Sequence, residues 1–346
     1  MQSNEQSIYD AIAPHFHCDK RRTRFMAYLI VALLKLADSS LSQWSLAINQ
    51  TTQRASGLKR LQRFLGQFRF SARIYAQLVW QRYGQTTEVV LTLDRTEYKQ
   101  RGEWIQLLLI GIAHQGMSIP LLWHSANRRG NSPTIAPKTL LKLVKAWIQP
   151  RQDQHVYLTA DREFIGPECR SCGLIPIIRI RANAQLTHQG QKLRVATLFD
   201  SPTWRSQPRL LYKQKLYLSG MRLADGDYLI IYSDPYIHHT HRLYSRRWQI
   251  ETLFGGFKSR GFDLEGCGVT KHRRICKLLF VLSMSLIWAL ETGQWLIKAG
   301  KLIPLRTLSG KSQPLFSLFR HGLDELRDRV LRQQSIQELI PLLSRT

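Results

Sequence analysis

A chain of 346 residues can bury a full catalytic core and still carry a smaller helical region on either side. Its 44% hydrophobic content, with 9 Trp, 12 Tyr and 13 Phe, excludes wholesale disorder. The 50 Lys and Arg face only 24 Asp and Glu, and an excess of 26 positive charges calls for a polyanionic partner; nucleic acid is favoured over anionic membrane because the basic residues are spread along the whole chain.

Residues 1 to 85 read as helical. The apolar run Phe25 to Ala37 follows the basic stretch Lys20-Arg21-Arg22-Thr23-Arg24, a pattern faintly similar to a twin-arginine export signal. It is about 13 residues long and interrupted by Lys35, whereas a spanning helix needs about 20. No small-residue cleavage site follows Leu36, so neither export nor membrane insertion is expected. Ser40-x-x-Gln43 predicts a capping box at the start of one helix. Ser56-Gly57 predicts the start of another, with Leu58, Leu61, Phe64 and Leu65 on one stripe and Lys59, Arg60 and Arg63, preceded by Arg54, on the opposite one. Such a basic stripe describes a solvated amphipathic helix as well as one lying on phosphates or in a major groove; the global charge favours DNA.

From Glu88 the pattern changes to strand-like runs, Val89 to Leu93, Trp104 to Ala113 and Ile119 to Trp123. A helical segment, Pro137 to Ile148, then leads to a strand at Val156 to Thr159, and this crossover predicts an α/β core with a mixed sheet. Ile175 to Ile180 adds a strand, Gln185 to Leu223 reads as a β-rich insertion, and Asp227 to Tyr232 is a last strand. A helical zone follows from Thr240 with breaks at Gly261 and Gly266 to Gly268; within it, Leu278 to Leu290 reads as a buried helix ended by Glu291. The predicted organisation is a helical DNA-binding region over 1–85, a catalytic core over 86–275 with its β-rich insertion at about 182–230, and a helical C-terminal region over 276–346 suited to dimerisation.

Five cysteines, an odd and sparse set, give no disulfide framework and fit a reducing cytoplasm. Cys169 and Cys172 make a single C-x-x-C, and a zinc site would need a second pair, for which Cys267 and Cys276 have the wrong spacing. The cluster His238, His239 and His241 reads as a polar loop after Asp234-Pro235.

Two aspartates carry the chemistry. Asp94 closes the run Val89-Val90-Leu91-Thr92-Leu93, and Asp161 follows Val156-Tyr157-Leu158-Thr159-Ala160, so both stand where a buried strand ends. One such residue is ordinarily a turn or ion-pair residue; two at the ends of core strands can converge on one cation. Further on, Tyr244, Arg247, Glu251 and Lys258 fall at offsets 0, 3, 7 and 14, which on one continuous helix places them within an arc of roughly 60°. A carboxylate flanked by two cations is wasteful as a salt bridge, but it suits a place where phosphate and metal meet.

The set Tyr244, Arg247, Glu251, Lys258 matches a Y-x2-R-x3-E-x6-K pattern and resembles the signature of the fourth insertion-sequence family of DDE transposases. Leu93-Asp94-Arg95-Thr96 and Ala160-Asp161-Arg162-Glu163-Phe164-Ile165-Gly166 resemble the segments around that family's two aspartates. The resemblance covers roughly residues 88 to 275. It implies a ribonuclease H-like core in which Asp94, Asp161 and Glu251 hold two Mg2+ ions, Mn2+ being an alternative, with Asp94 shared between them. It further implies that Arg247, Lys258 and Tyr244 grip DNA phosphates, that Trp248 stacks on an unpaired base at the cut end, and that an N-terminal helical domain binds terminal inverted repeats. Cut-and-paste movement through a hairpinned end into target DNA, by a homodimer on paired ends in the bacterial cytoplasm beside the nucleoid, completes the expectation. Gly255 and Gly256, at about 1 kcal/mol each relative to alanine, predict a bend between Glu251 and Lys258. The rival expectations are a nuclease of the same core that cuts without joining, and a DNA-binding relative that has lost the chemistry.

Overall fold

The computed structural model describes residues 3–16, 19–48, 54–130, 135–164, 172–188, 191–211, 214–308 and 310–344. Five helices come first: α1 (Asn4–Ile12), α2 (Lys20–Leu36), α3 (Leu41–Ile48), α4 (Arg54–Gln67) and α5 (Ala72–Tyr83). The stripe expected of α4 is present, with Leu61, Phe64 and Leu65 buried and Lys59, Arg60 and Arg63 exposed. The expected capping box at α3 is not. The helix starts at Leu41 as predicted, but the Ser40 hydroxyl pairs with that of Ser42 at 3.0 Å.

Three antiparallel strands follow, β1 (Glu88–Gln100), β2 (Glu103–His114) and β3 (Met117–Ala126). They are joined by the two-residue turns Arg101-Gly102 and Gln115-Gly116, whose four φ values are all positive (49° and 86°, 46° and 86°). That geometry matches the right-handed twist of the strands it joins, and glycine adopts it without steric cost. Helix α6 (Ile135–Trp147) crosses over to β4 (His155–Ala160), which pairs parallel with β1, and β5 (Ile175–Arg179) pairs parallel with β4. The order β3-β2-β1-β4-β5, with β2 alone antiparallel to its neighbours, is the mixed α/β arrangement of the ribonuclease H-like core.

The β-rich segment comprises β6 (Gln185–His188), β7 (Gln191–Arg194), β8 (Arg205–Leu211) and β9 (Gln214–Arg222), followed by β10 (Tyr228–Ser233). It is less of an insertion than its sequence suggests. Only β6 and β7 form a separate hairpin, whereas β10, β9 and β8 continue the main sheet beyond β5 to eight strands.

Helix α7 (Thr240–Ser245), a 3-10 turn at Arg246–Trp248 and α8 (Gln249–Phe257) lead to α9 (His272–Lys298), α10 (Leu318–Leu331) and α11 (Ile340–Ser344). The C-terminal region is not wholly helical, because β11 (Leu305–Leu308) and β12 (Lys311–Pro314) form a hairpin. At 27 residues, with a window of mean hydropathy 1.7, α9 is long and apolar enough to cross a membrane, yet 83% of that window is buried inside the protein. Trp288, Phe280 and Leu282 are each 0% exposed, and full burial of one such side chain is worth about 1.5–3 kcal/mol. One apolar core runs from Ile8 through the sheet to Leu343, so the terminal helical regions share their interior with the central sheet.

Candidate active site

The site forms where β4 stops and β1 does not. The last parallel pair is Leu93 with Ala160, so Asp94 and Asp161 are the next residue on each strand, at a strand spacing of roughly 5 Å. Asp94 is not a strand end, contrary to the sequence expectation: β1 continues to Gln100, held on its other edge by β2. What ends at Asp94 is the neighbour. β4 gives way to a 3-10 turn at Arg162–Phe164 and leaves a crevice at the carboxyl end of two parallel strands, the usual ligand position in such sheets.

That crevice is a polar cavity of about 600 Å3 lined by Asp94, Arg95, Glu97, Asp161, Glu163 and Arg181 among others. Burial pushes the Asp94 carboxyl up to about 6, against the pull of the Arg95 N–H (2.8 Å) and of Arg247, and with help from the charges of Glu163 and Asp161. Burial also raises Glu163, opposed by Arg95, whose Nε reaches both of its carboxylate oxygens at 2.7 Å. The Oδ1 atom of Asp161 is buried without a hydrogen-bond partner.

Glu251 approaches from the first turn of α8. Arg247 connects it to the sheet: its Nη1 donates to Asp94 Oδ2 at 2.8 Å and its Nη2 to Glu251 Oε1 at 2.9 Å. Two oxygens on the terminal nitrogens of one guanidinium lie within about 8 Å of each other. Arg247 is only 7% exposed, and its guanidinium carbon lies 5.7 Å from the centre of the Tyr244 ring and 5.1 Å from that of Trp248.

The four signature residues therefore do not share one helix face. Tyr244 ends up 5% exposed in a small core with Val90, Tyr157 and Ile231, and burial raises its phenol to about 12. The helical path tightens to a 3-10 turn at Arg247, and α8 stops at Phe257, one residue past the paired glycines. Lys258 sits beyond the helix with backbone angles of −90° and −133°, and pairs with Glu265 at 2.8 Å. The chain then doubles back closely: a Cβ on Gly261 would meet the Gly256 carbonyl oxygen, which leaves room there only for glycine. Trp248 is 59% exposed, which places it on the surface and not in the core.

Among the described residues, no three His, Cys, Asp or Glu side chains stand close enough to hold a metal ion as placed. The Arg247 guanidinium lies between Asp94 and Glu251, bonded to both. The donor set nevertheless fits a hard divalent cation, for it offers carboxylate oxygens only, one of them buried and unpartnered. Of the other sequence candidates, Cys169 lies outside the described residues, and His239 Nε2 stands 3.3 Å from Glu88 Oε1, away from the cavity residues.

Sequence reasoning gave no role to Glu163, Glu97, Arg95 and Arg181. Glu163 had a signal, two residues after Asp161 in the quoted segment. Arg181 had none; it arrives because Ala160 pairs with Ile178, which sets the end of β5 beside Asp161.

A family model described as a transposase DDE domain matches residues 84–288. A piggyBac transposase, solved by cryo-EM in a synaptic complex with hairpin DNA, is similar over 91% of this chain and 73% of its own, at 10% identity and a TM-score of 0.45. The endonuclease V of Bacillus subtilis is similar over 62% of this chain and 88% of its own, at 11% identity and a TM-score of 0.25. No curated protein matches the sequence.

Proposed function

Since the chain belongs to the transposase DDE domain family, we propose that it cuts DNA at the ends of its own mobile element and joins them to target DNA, as a member of the fourth insertion-sequence family. The observation that carries this reading is that Asp94, within β1, and Asp161, just past the end of β4, are the next residues after the last pair of two adjacent parallel strands, with Glu251 tied to Asp94 through Arg247.

Asp94, Asp161 and Glu251 are the residues that would hold two Mg2+ ions, with Mn2+ able to replace them, and such a pair activates the attacking oxygen and stabilises the leaving one. The chain's own residues do the rest. The unpartnered Asp161 Oδ1 and the desolvated Asp94 are carboxylates in need of a counter-charge. Arg247 supplies it to Asp94 within the resting chain, and once released from Asp94 or Glu251 it presents a fork-shaped donor set that suits a phosphate. Exposed Trp248 offers a face on which an unpaired base can stack. Lys59, Arg60 and Arg63 on the outer face of α4 serve the terminal inverted repeats. Two copies would pair the two ends, in the cytoplasm beside the nucleoid.

The test is magnesium-dependent cleavage of DNA carrying the inverted repeats that flank the gene, followed by analysis for joined products. Asp94→Ala, Asp161→Ala and Glu251→Ala should each abolish cutting while end binding stays within a few-fold of the parent. Cutting retained by any one of them removes that residue from the trio, and cutting without joined products reduces the reading to a nuclease.

A further inference from the structure

We propose that a cationic track outside the cleft, formed by Arg22, Arg69, Arg273, Arg274 and Lys277 and linked to the cleft by Arg129, grips the phosphates of the duplex flanking the reacting bond. The proposal rests on the DNA reading above and extends it to a surface shared by the N-terminal helices and the start of α9.

Cations from three parts of the chain meet over the last turn of α4. Arg22 Nη1 donates to the Gln67 carbonyl at 3.4 Å, and Lys277 Nζ to the Gly66 carbonyl at 2.8 Å. The Arg274 guanidinium passes 3.9 Å from where a Cβ on Gly66 would be. A helix C-terminus offers roughly half a negative charge, which leaves the cluster strongly positive. The Lys277 ammonium is accordingly pushed below its usual range, by burial first and then by Arg274, Arg69, Arg22 and Arg273. Asp19, near Arg22 in sequence, is occupied in capping α2, accepting from the backbone N–H groups of Arg21 and Arg22 at 3.0 and 3.3 Å. Arg22, Arg273, Arg274 and Lys277 form no ion pair with any described residue, and Arg22, Arg69 and Arg273 are exposed. Four such cations at one place are costly unless a polyanion covers them.

Its position relative to the cleft follows from the sheet register. Asp94 pairs with Leu109 and Leu109 with Trp123, so Trp123 shares a rung with Asp94 at two strand spacings, about 10 Å. The Trp123 indole N–H donates to the Cys276 carbonyl at 3.0 Å, which pins the neighbouring Lys277 beside that end of the sheet. The loop after β3 bridges the gap. Asn127 Nδ2 donates to the Thr270 carbonyl at 3.0 Å just before α9, while Gly130 N donates to Glu97 at 3.1 Å on the cavity wall. Between them Arg129 is exposed, its guanidinium carbon 4.6 Å from the centre of the Trp104 ring. A track reaching about 10–20 Å from Asp94 corresponds to about three to six base pairs of duplex.

The test uses the full chain in chelator with a duplex of about 40 base pairs of arbitrary sequence, titrated between about 50 and 200 mM salt. Arg69→Ala, Arg273→Ala and Arg274→Ala are combined, leaving Arg22 and Lys277 to hold the end of α4. The slope of log affinity against log salt should become shallower by about 2 to 3 units. Affinity at low salt should fall at least about tenfold, equally for every sequence, and the triple lysine replacement should restore both. On the parent protein, DNA should shield Lys277 from amine acetylation, a readout that needs no variant to fold. An unchanged slope in the alanine variant, or equal acetylation with and without DNA, overturns the track while leaving the DNA reading intact. A parent that binds no DNA defeats both. Loss of binding to anionic lipid vesicles with no change toward DNA assigns the surface to membrane and also overturns the proposal.

Discussion

Asp94 pays for its place in the sheet. Its carboxyl is buried beside Asp161 and Glu163, and the bonds from Arg95 and Arg247 do not offset that burial, so it titrates near 6. The sign of the consequence is fixed by linkage. A carboxyl raised above its unfolded value of 3.8 binds its proton more tightly when folded, so its cost is absent below pH 3.8, grows as pH rises, and is complete above about 6. In chelator at neutral pH, Asp94→Asn should therefore be more stable than the parent by at most about 3 kcal/mol, and the gain should shrink to nothing as pH falls below 4. Equal denaturant midpoints at neutral pH, or a gain that grows on acidification, would contradict this. That Asp94, Asp161 and Glu251 are candidates was legible from their places along the chain. The depth of Arg247 and Tyr244 was not, because a helical wheel gives the direction of a side chain and says nothing of what the sheet places over it.

At the scale of elements, the run from Thr240 to Lys258 shows why the expected single face failed. A uniform 100° step needs a uniform helix, and this run contains a 3-10 turn at Arg246–Trp248 and ends at Phe257. Elsewhere, close backbone approach decides the packing. Where α9 and α10 cross, a Cβ on Gly322 would stand 1.8 Å from the Ala289 carbonyl oxygen and one on Gly293 would stand 2.2 Å from that of Leu318. Those contacts involve main chain on both helices and cannot be relieved by a side-chain rotation. Gly322→Ala should cost about 1–3 kcal/mol or more by forcing the helices apart. Ser317→Ala removes only the N-cap bond to the Arg320 N–H at 3.2 Å, worth about 1 kcal/mol. Denaturation of the two variants should preserve that order, and a harmless Gly322→Ala would mean that the crossing is looser than drawn.

For the whole molecule, the excess of 26 positive charges is the dominant electrostatic fact. Self-repulsion on that scale destabilises the compact state, and both salt and a bound polyanion relieve it. The melting temperature should rise from low to moderate ionic strength, and at low salt duplex DNA should raise it further; a melting temperature indifferent to both would show that the charges are already compensated internally. The sequence by itself determined the class of fold, the order of strands and helices, the amphipathic face of α4 and the candidate carboxylates, since these depend on local periodicity and on spacing along the chain. Tertiary packing alone settles that β10, β9 and β8 extend the main sheet, that Glu163 and Arg181 border the cavity, that Arg247 joins Asp94 to Glu251, and that cations from α2, from the segment after α4 and from α9 gather at the end of α4. Each of these depends on register and packing between segments distant in sequence, and no local pattern encodes which strand edge or helix end will be the neighbour.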